Sequence, residues 1–234
     1  MDKNTLPVTE IFKSLSGEGA EIGTPTVFVR VFGCNMKPVC PWCDSMYSVE
    51  KQDDTIQRLT VEEIVNTIRS FNCKDITFTG GEPMLYEDQI KEVMNLLLAS
   101  DTYKFHFETN GMLHPDYRGY DITYAISPKL HAMDLTNNDR KHCGSYIGKL
   151  RRWVQIEQSP RSFKFVYENK DSIGQIKKLE YLMMGFGKCD VYLMPEGNAV
   201  NEQKYLECAK ECIKLGYKFS PRLQNILWGP KRGV

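Results

Sequence analysis

The sequence predicts an α/β fold, a mostly parallel sheet with helices packed outside it. Three observations carry this. Strand-like runs rich in β-branched and aromatic residues alternate with helical patterns along nearly the whole chain. The helical segments place their apolar residues on one face. The 234 residues contain no internal repeat, low-complexity segment or clear linker, so residues 1–234 read as one domain. Repeated strand–helix–strand units favour parallel pairing, and barrel-like sheets of this kind gather their polar residues at the strands' carboxyl ends, where the active site sits.

The elements follow in order. Thr26–Phe32 is apolar apart from Arg30 and reads as a strand. Thr60–Arg69 reads as a helix, with Thr60 and Glu63 forming a capping box and Val61, Ile64, Val65 and Ile68 on one face. Asp75–Thr79 is a short strand. Glu87–Ala99 is a helix with Ile90, Val93, Met94, Leu97 and Leu98 buried. Strands are predicted at Lys104–Thr109, Ile122–Ser127 and Phe163–Tyr167, a helix near Ser172–Met184, a strand at Val191–Met194, a helix at about Glu202–Leu215 and a last strand at Tyr217–Ser220. The stretch Lys129–Ser162 is polar and irregular and reads as a loop or insertion near the site.

Composition excludes several function classes. Lys+Arg and Asp+Glu are both 30, so the net charge is zero and direct nucleic-acid binding through a cationic surface is not expected. With 41% hydrophobic and 11% aromatic residues the chain is not of the disordered type. No apolar run is long enough to span a membrane, and residues 1–12 lack the apolar block of a signal peptide, so the expected location is the cytoplasm.

The eight cysteines are unevenly placed. Cys208 and Cys212, one helical turn apart, resemble a metal pair, but two small apolar residues on a buried face are the preferred reading. Cys34, Cys40 and Cys43 crowd into ten residues with spacing C-x₅-C-x₂-C. Asn35, Lys37, Pro38 and Pro41 make that segment a loop. Thiolates this close in a reducing compartment bind zinc or an iron–sulfur cluster. A structural zinc site needs four ligands, and no fourth Cys or His is near in sequence. Three thiolates on a [4Fe–4S] cluster leave one iron open. Further on, Ile76-Thr-Phe-Thr-Gly-Gly-Glu-Pro83 is a strand ending in a double glycine, where a ligand can approach the backbone.

Together the cysteine loop and Gly-Gly-Glu-Pro turn resemble the radical S-adenosylmethionine superfamily. The resemblance narrows through Ile11-Phe-Lys-Ser-Leu-Ser-Gly-Glu-Gly19, Gly23-Thr-Pro25, Phe28-Val-Arg30, Gly33-Cys-Asn35 and Trp42-Cys-Asp44. It continues through Thr79-Gly-Gly-Glu-Pro83, Glu108-Thr-Asn-Gly111, Ser127-Pro-Lys129 and the ending Arg222-Leu-Gln…Trp228-Gly…Arg232-Gly-Val234. These segments span almost the whole chain and are similar to those of the 7-carboxy-7-deazaguanine synthases. The resemblance implies an abbreviated TIM-like barrel, usually in a homodimer, and a radical lyase. Its members convert 6-carboxy-5,6,7,8-tetrahydropterin to 7-carboxy-7-deazaguanine and ammonia, on the route to queuosine and other deazapurines.

The same resemblance implies the site. Cys34, Cys40 and Cys43 hold a [4Fe–4S] cluster whose open iron is chelated by S-adenosylmethionine, and the resulting radical attacks C6 of the pterin, so no side chain is the primary catalyst. Trp42, Cys43, Asp44, Gly81, Glu82, Glu108, Asn110, Ser127, Pro128, Lys129 and the segment Met194, Pro195, Glu196, Gly197 fall to the cofactor, with Glu82 accepting from its ammonium group. Leu15, Ser16, Gly17, Glu18, Arg30, Thr79 and Val234 fall to the substrate, and Ser45 to Mg²⁺. Arg30 also has a physical argument. A buried guanidinium needs an anion, either the substrate carboxylate, which is the preferred reading, or Glu18 or Glu10. The four histidines share no metal spacing. An electron donor such as flavodoxin or ferredoxin is implied.

The chain departs from the family pattern in places. The first cysteine gap is two residues longer than usual, Ser16 and Met194 stand where Gln is common, Ser45 where Thr is common, and the tail at Gln224 lacks the frequent His-Lys. Two other functions stay open at this point: an activase for a glycyl-radical protein, which would carry more tightly spaced cysteines, and a zinc-binding interaction module.

Overall fold

Successive residues of a strand point to opposite faces, so a strand that meets helices on one side and a site on the other must alternate. The computed structural model describes residues 4–50, 56–133, 135, 145–155 and 161–234. β1 (Thr5–Leu15) folds back antiparallel on β2 (Pro25–Val31), and β3 (Gln57–Thr60) pairs antiparallel with β1's other edge. From β2 onward the pairing is parallel, through β4 (Asp75–Gly80), β5 (Lys104–Thr109), β6 (Ile122–Ile126), β7 (Arg161–Tyr167), β8 (Asp190–Pro195) and β9 (Lys218–Phe219). The strands form one open sheet in the order β3-β1-β2-β4-β5-β6-β7-β8-β9, a partial barrel.

Among the described residues six helices accompany it: α1 (Val61–Ser70), α2 (Glu87–Leu98), α3 (Tyr146–Gln155), α4 (Lys170–Met183), α5 (Glu202–Leu215) and α6 (Leu223–Trp228). The capping box of α1 forms as the sequence predicts, the Glu63 N–H donating to Thr60 Oγ1 at 3.2 Å and the Thr60 N–H to Glu63 Oε2 at 2.7 Å. The residues Ile76, Phe78, Phe105, Phe107, Phe163 and Phe165 are fully buried and join Ile64, Ile68, Ile90 and Leu97 of α1 and α2 in the core. Their neighbours along the same strands, Thr79, Glu108 and Lys164, face the other way, toward a cavity.

Three features differ from the sequence reading. β1 was not anticipated; its alternation is interrupted by Glu10 and Lys13 and by a register shift between Val8 and Glu10. β3 precedes the helix that Thr60 caps. The stretch 129–162 holds a short 3-10 turn at Leu130–Ala132 and helix α3, whose Leu150 and Trp153 are fully buried within a basic segment. His142 and Cys143 lie outside the described residues. Cys208 and Cys212 are core residues of α5. Among the described residues no helix is long and apolar enough to cross a membrane.

Candidate active site

The carboxyl ends of β2 and β4–β8 open into a cavity of about 210 Å³. Cys34, Cys40 and Cys43 all line it. The loop that carries them leaves β2 across the end of β4, and the double glycine makes this crossing possible. A Cβ on Gly80 would lie 2.2 Å from the Val31 carbonyl oxygen, and one on Gly81 would lie 1.9 Å from that of Gly33. Gly80 also has φ +125, outside the range of ordinary L residues. The glycines therefore serve the close seating of the cysteine loop first, and Gly81 still faces the cavity.

Burial pushes all three thiols up, Cys40 to about 11, and Cys34 and Cys43 each press on Cys40 as like charges. Thiols in such a place give up their protons when a metal centre compensates them. Among the described residues no three of His, Cys, Asp and Glu converge closely enough for a single metal ion. Cys34, Cys40 and Cys43, all on the cavity lining, are the residues that would hold a wider centre, an iron–sulfur cluster, and a [4Fe–4S] cluster with three protein ligands would keep one iron free for a further ligand.

Charged side chains line the rest. Arg30 donates from Nε to Glu10 Oε1 at 2.8 Å and from Nη1 to Ser45 Oγ at 3.2 Å, and the Tyr47 hydroxyl donates to the same Glu10 oxygen at 2.7 Å. Ser45 in turn donates to Asp44 Oδ1 at 3.0 Å. Burial disfavours the Arg30 charge, but Tyr47, Glu10, Glu108 and Asp44 outweigh it and raise its pKa. Lys164 Nζ donates to Glu18 Oε2 at 2.5 Å and lies 3.6 Å from Glu108 Oε1, whose other oxygen accepts the Thr79 hydroxyl at 2.6 Å. Arg222 donates from Nη1 to Asp44 Oδ2 at 2.9 Å, and Gln224 from Nε2 to Glu18 Oε1 at 2.7 Å. Burial alone would raise the Glu18 carboxyl, yet Lys164 and Arg222, with the hydrogen bonds from Lys164 and Gln224, hold it at about 2.

Comparison with known proteins decides what this geometry belongs to. The Radical SAM superfamily is matched over residues 28–122. A 7-carboxy-7-deazaguanine synthase of Halobacterium salinarum is 32% identical, over 97% of this chain and 92% of that protein. One of Methanocaldococcus jannaschii is 37% identical, over 88% of this chain and 91% of that protein. The chain belongs to the 7-carboxy-7-deazaguanine synthase family. The crystal structure of QueE from Escherichia coli shares its fold, with a TM-score of 0.70, 20% identity and 94% of each chain covered. As a member of this family the chain is a radical S-adenosylmethionine lyase of the ring-contracting kind, built around S-adenosylmethionine and a [4Fe–4S] cluster.

With the family fixed, the sequence-derived site residues sort by position. Leu15, Gly17, Glu18, Arg30 and Thr79 line the cavity with Trp42, Asp44, Ser45, Gly81, Glu108, Asn110, Ser127, Lys129, Met194 and Val234. Ser16, Glu82, Pro128, Pro195, Glu196 and Gly197 do not line it. Ser16 spends its backbone N–H on Thr24 O and its carbonyl on Gly23 N, both at 2.8 Å, within the turn between β1 and β2. Glu196 is paired with Lys204 at 2.5 Å.

Glu82, expected to accept from the cofactor's ammonium group, is buried and outside the cavity lining. Its fully buried carboxylate accepts from the Thr109 hydroxyl at 2.7 Å, the Asn110 N–H at 2.8 Å and the Met84 N–H at 3.1 Å, so it joins the ends of β4 and β5 and is not presented to the cavity. Burial raises its pKa against these donors. The structural partner of Arg30 is Glu10, while Glu18 belongs to Lys164. Asn110 gives its side-chain N–H to Asn35 Oδ1 at 2.7 Å and so ties the cysteine loop to β5. Tyr146 of α3 donates to Asn110 O at 2.6 Å and accepts from the Lys129 N–H at 3.0 Å, so the stretch read as a loop holds two parts of the site.

Sequence reasoning missed Lys164 and Tyr47, gave Arg222 and Gln224 no role, and named Glu10 only as an alternative partner of Arg30, the pairing that the structure shows. One signal was available: Lys164 stands between Phe163 and Phe165 as Arg30 stands between Val29 and Val31.

Proposed function

We propose a division of the cavity in which the cysteine loop side holds the cofactor and the β1–β2 side holds the pterin. The observation that supports it is the single cavity that three thiols share with Arg30, Glu18 and Glu108. When bound and reduced, the cluster and S-adenosylmethionine supply the radical that takes one hydrogen atom from the pterin. The chain's residues do the rest by binding, orienting and excluding water. Cys34, Cys40 and Cys43 hold the cluster. Gly81 offers backbone to the cofactor's methionine end, and Glu82 braces Asn110 and Thr109 behind it. Glu108 accepts from the ribose hydroxyls, and Ser127, Lys129 and Trp42 pack the nucleoside, with Met194 opposite. The Lys129 ammonium sits 5.3 Å over the Trp42 ring and donates to Ser127 Oγ at 2.9 Å, which keeps these three together.

On the other side Arg30 takes the pterin carboxylate. Glu10 grips its Nε edge and leaves the guanidinium's far end toward the cavity, the fork geometry that suits a carboxylate. The ionised Glu18 accepts from the amino-pyrimidine edge, which presents N–H donors. Leu15, Gly17 and Val234 close around it, and Thr79 supplies a hydroxyl. Ser45, a hydroxyl beside Asp44 and Arg30, is the protein ligand of Mg²⁺, with the substrate carboxylate and waters completing the shell. The reading further holds that the enzyme is a cytoplasmic homodimer reduced by flavodoxin or ferredoxin, and family resemblance supports that part. The test is anaerobic reconstitution followed by Mössbauer spectroscopy with and without S-adenosylmethionine. The proposal expects a [4Fe–4S] cluster with one iron altered by the cofactor. Four equivalent irons, or zinc in place of iron, would contradict it.

A further inference from the structure

Lys164 lies on β7 between two fully buried phenylalanines and points into the cavity, where its side chain is 6% exposed. Its ammonium group meets one carboxylate from each half of the site: Glu18 Oε2 at 2.5 Å and Glu108 Oε1 at 3.6 Å. Glu18 is enclosed and Glu108 only part-buried; brought to one ammonium they repel each other once that cation is removed, and burial then favours the protonated form of Glu18. We infer that Lys164 is a positioning residue that fixes Glu18 and Glu108 together, so that the pterin subsite and the nucleoside subsite are set by one cation. The inference rests on the division of the cavity proposed above.

The other charges around it leave this role to Lys164. Arg222 faces the same Glu18 but is farther, with Nε 3.9 Å from Oε1, and its Nη1 is committed to Asp44. Glu196 and Tyr205 also face Arg222. Arg30 acts on Glu108 only through space and is held by Glu10. Gln224 supports Glu18 from the opposite oxygen and carries no charge. Thr79 supports Glu108 from its opposite oxygen. Each carboxylate thus has a neutral donor on one oxygen and Lys164 on the other. The direction of the Glu18 shift, strongly down in spite of burial, agrees with this arrangement.

The experiment compares the reconstituted parent, Lys164→Met and Lys164→Arg. Calorimetry gives S-adenosylmethionine affinity, and steady-state kinetics gives KM and kcat for the pterin between pH 6 and 9. Lys164→Met should weaken both ligands by about tenfold or more, the scale of losing a charge-assisted hydrogen bond. The acid limb of its kcat/KM profile should also move to higher pH, because a carboxylate relieved of its cation protonates more readily. Lys164→Arg should recover the position of that limb. Loss of affinity for one ligand alone, or a fall in kcat with both affinities and the pH profile unmoved, would overturn the inference.

If Lys164→Met does not fold, Lys164→Met/Glu18→Gln removes one unpaired carboxylate. It should bind S-adenosylmethionine more weakly than Glu18→Gln alone, and equal binding would overturn the inference. Failure of the underlying reading looks different: the parent itself would give no product from the pterin.

Discussion

The two walls of the cavity are built on different principles. One wall comes from β2, the cysteine loop, β4 and the ends of β5 and β6, and it falls almost entirely within residues 28–122, the span matched by the Radical SAM superfamily. Its parts are backbone fits and consecutive residues: three thiols on one loop, two glycines that admit that loop, and a buried Glu82 that stitches two strand ends. The other wall comes from β7, β8, α6 and the tail. Its parts are single side chains from distant places, Lys164, Met194, Arg222, Gln224 and Val234, joined to Glu18 and Asp44 across the cavity. On the division proposed above, the first wall holds the cysteine loop and Arg30, while the second supplies Lys164, Arg222 and Gln224, the partners of Glu18.

The largest expected effect breaks the first wall. Cys34→Ala, Cys40→Ala or Cys43→Ala should abolish cluster assembly and turnover, since among the described residues no further Cys lines the cavity to replace the lost thiolate. Cys208→Ala, a change in the core of α5, should keep iron content near that of the parent at some cost in stability. Iron analysis checks both. Loss of iron in Cys208→Ala with retention in Cys40→Ala would reverse the assignment.

Next comes the boundary between the walls. Arg30→Lys keeps the charge but loses the planar fork and the Nε contact to Glu10, so KM for the pterin should rise by roughly tenfold or more while slow cofactor cleavage without substrate persists. An unchanged KM with a lowered melting temperature would make Arg30–Glu10 a purely structural pair.

The ion pairs of the second wall predict an acid response. Glu18, held at about 2 against an ordinary 4.5, stabilises the fold fully above the ordinary value. That contribution is lost as the pH falls from there through about 2. Thermal melts from pH 7 down to pH 2 should therefore show a steeper decline for the parent than for Glu18→Gln. Parallel curves would separate Glu18 from the network.

The smallest effect sharpens the comparison at Ser45, where the first wall meets the substrate. Ser45→Ala should keep the cluster and uncoupled cofactor cleavage but lose stimulation of turnover by Mg²⁺, and Ser45→Thr should keep it. An alanine variant with the parent's magnesium response would remove Ser45 from the metal site.

The same contrast governs what the sequence reveals. The first wall is legible because its chemistry is local: C-x₅-C-x₂-C and Gly-Gly-Glu-Pro each put the needed atoms within a few residues. Strands β4, β5 and β7 are legible because their core faces are uniformly apolar. β1 is not, because Glu10 and Lys13, three residues apart, put a charge on each of its two faces. α3 is hidden because Leu150 and Trp153 are embedded among Lys149, Arg151 and Arg152, and its apolar stripe is narrow. Lys164 could be seen as anomalous in Phe163–Phe165, but its partners are 146 residues away at Glu18 and 56 away at Glu108, a pairing that only the folded sheet defines. Glu82 shows the reverse limit: the motif names the residue, while the hydrogen bonds decide that it faces protein donors.

The most direct test of the central claim is a single anaerobic assay. The reconstituted protein is incubated with S-adenosylmethionine, a low-potential reductant, Mg²⁺ and 6-carboxy-5,6,7,8-tetrahydropterin, and the products are read by mass spectrometry. A cavity with these two walls predicts 7-carboxy-7-deazaguanine and ammonia in equal amounts, in multiple turnovers, with product formation lost in Cys40→Ala. Cofactor cleavage that proceeds at the same rate with and without the pterin, with no deazaguanine product, would contradict it.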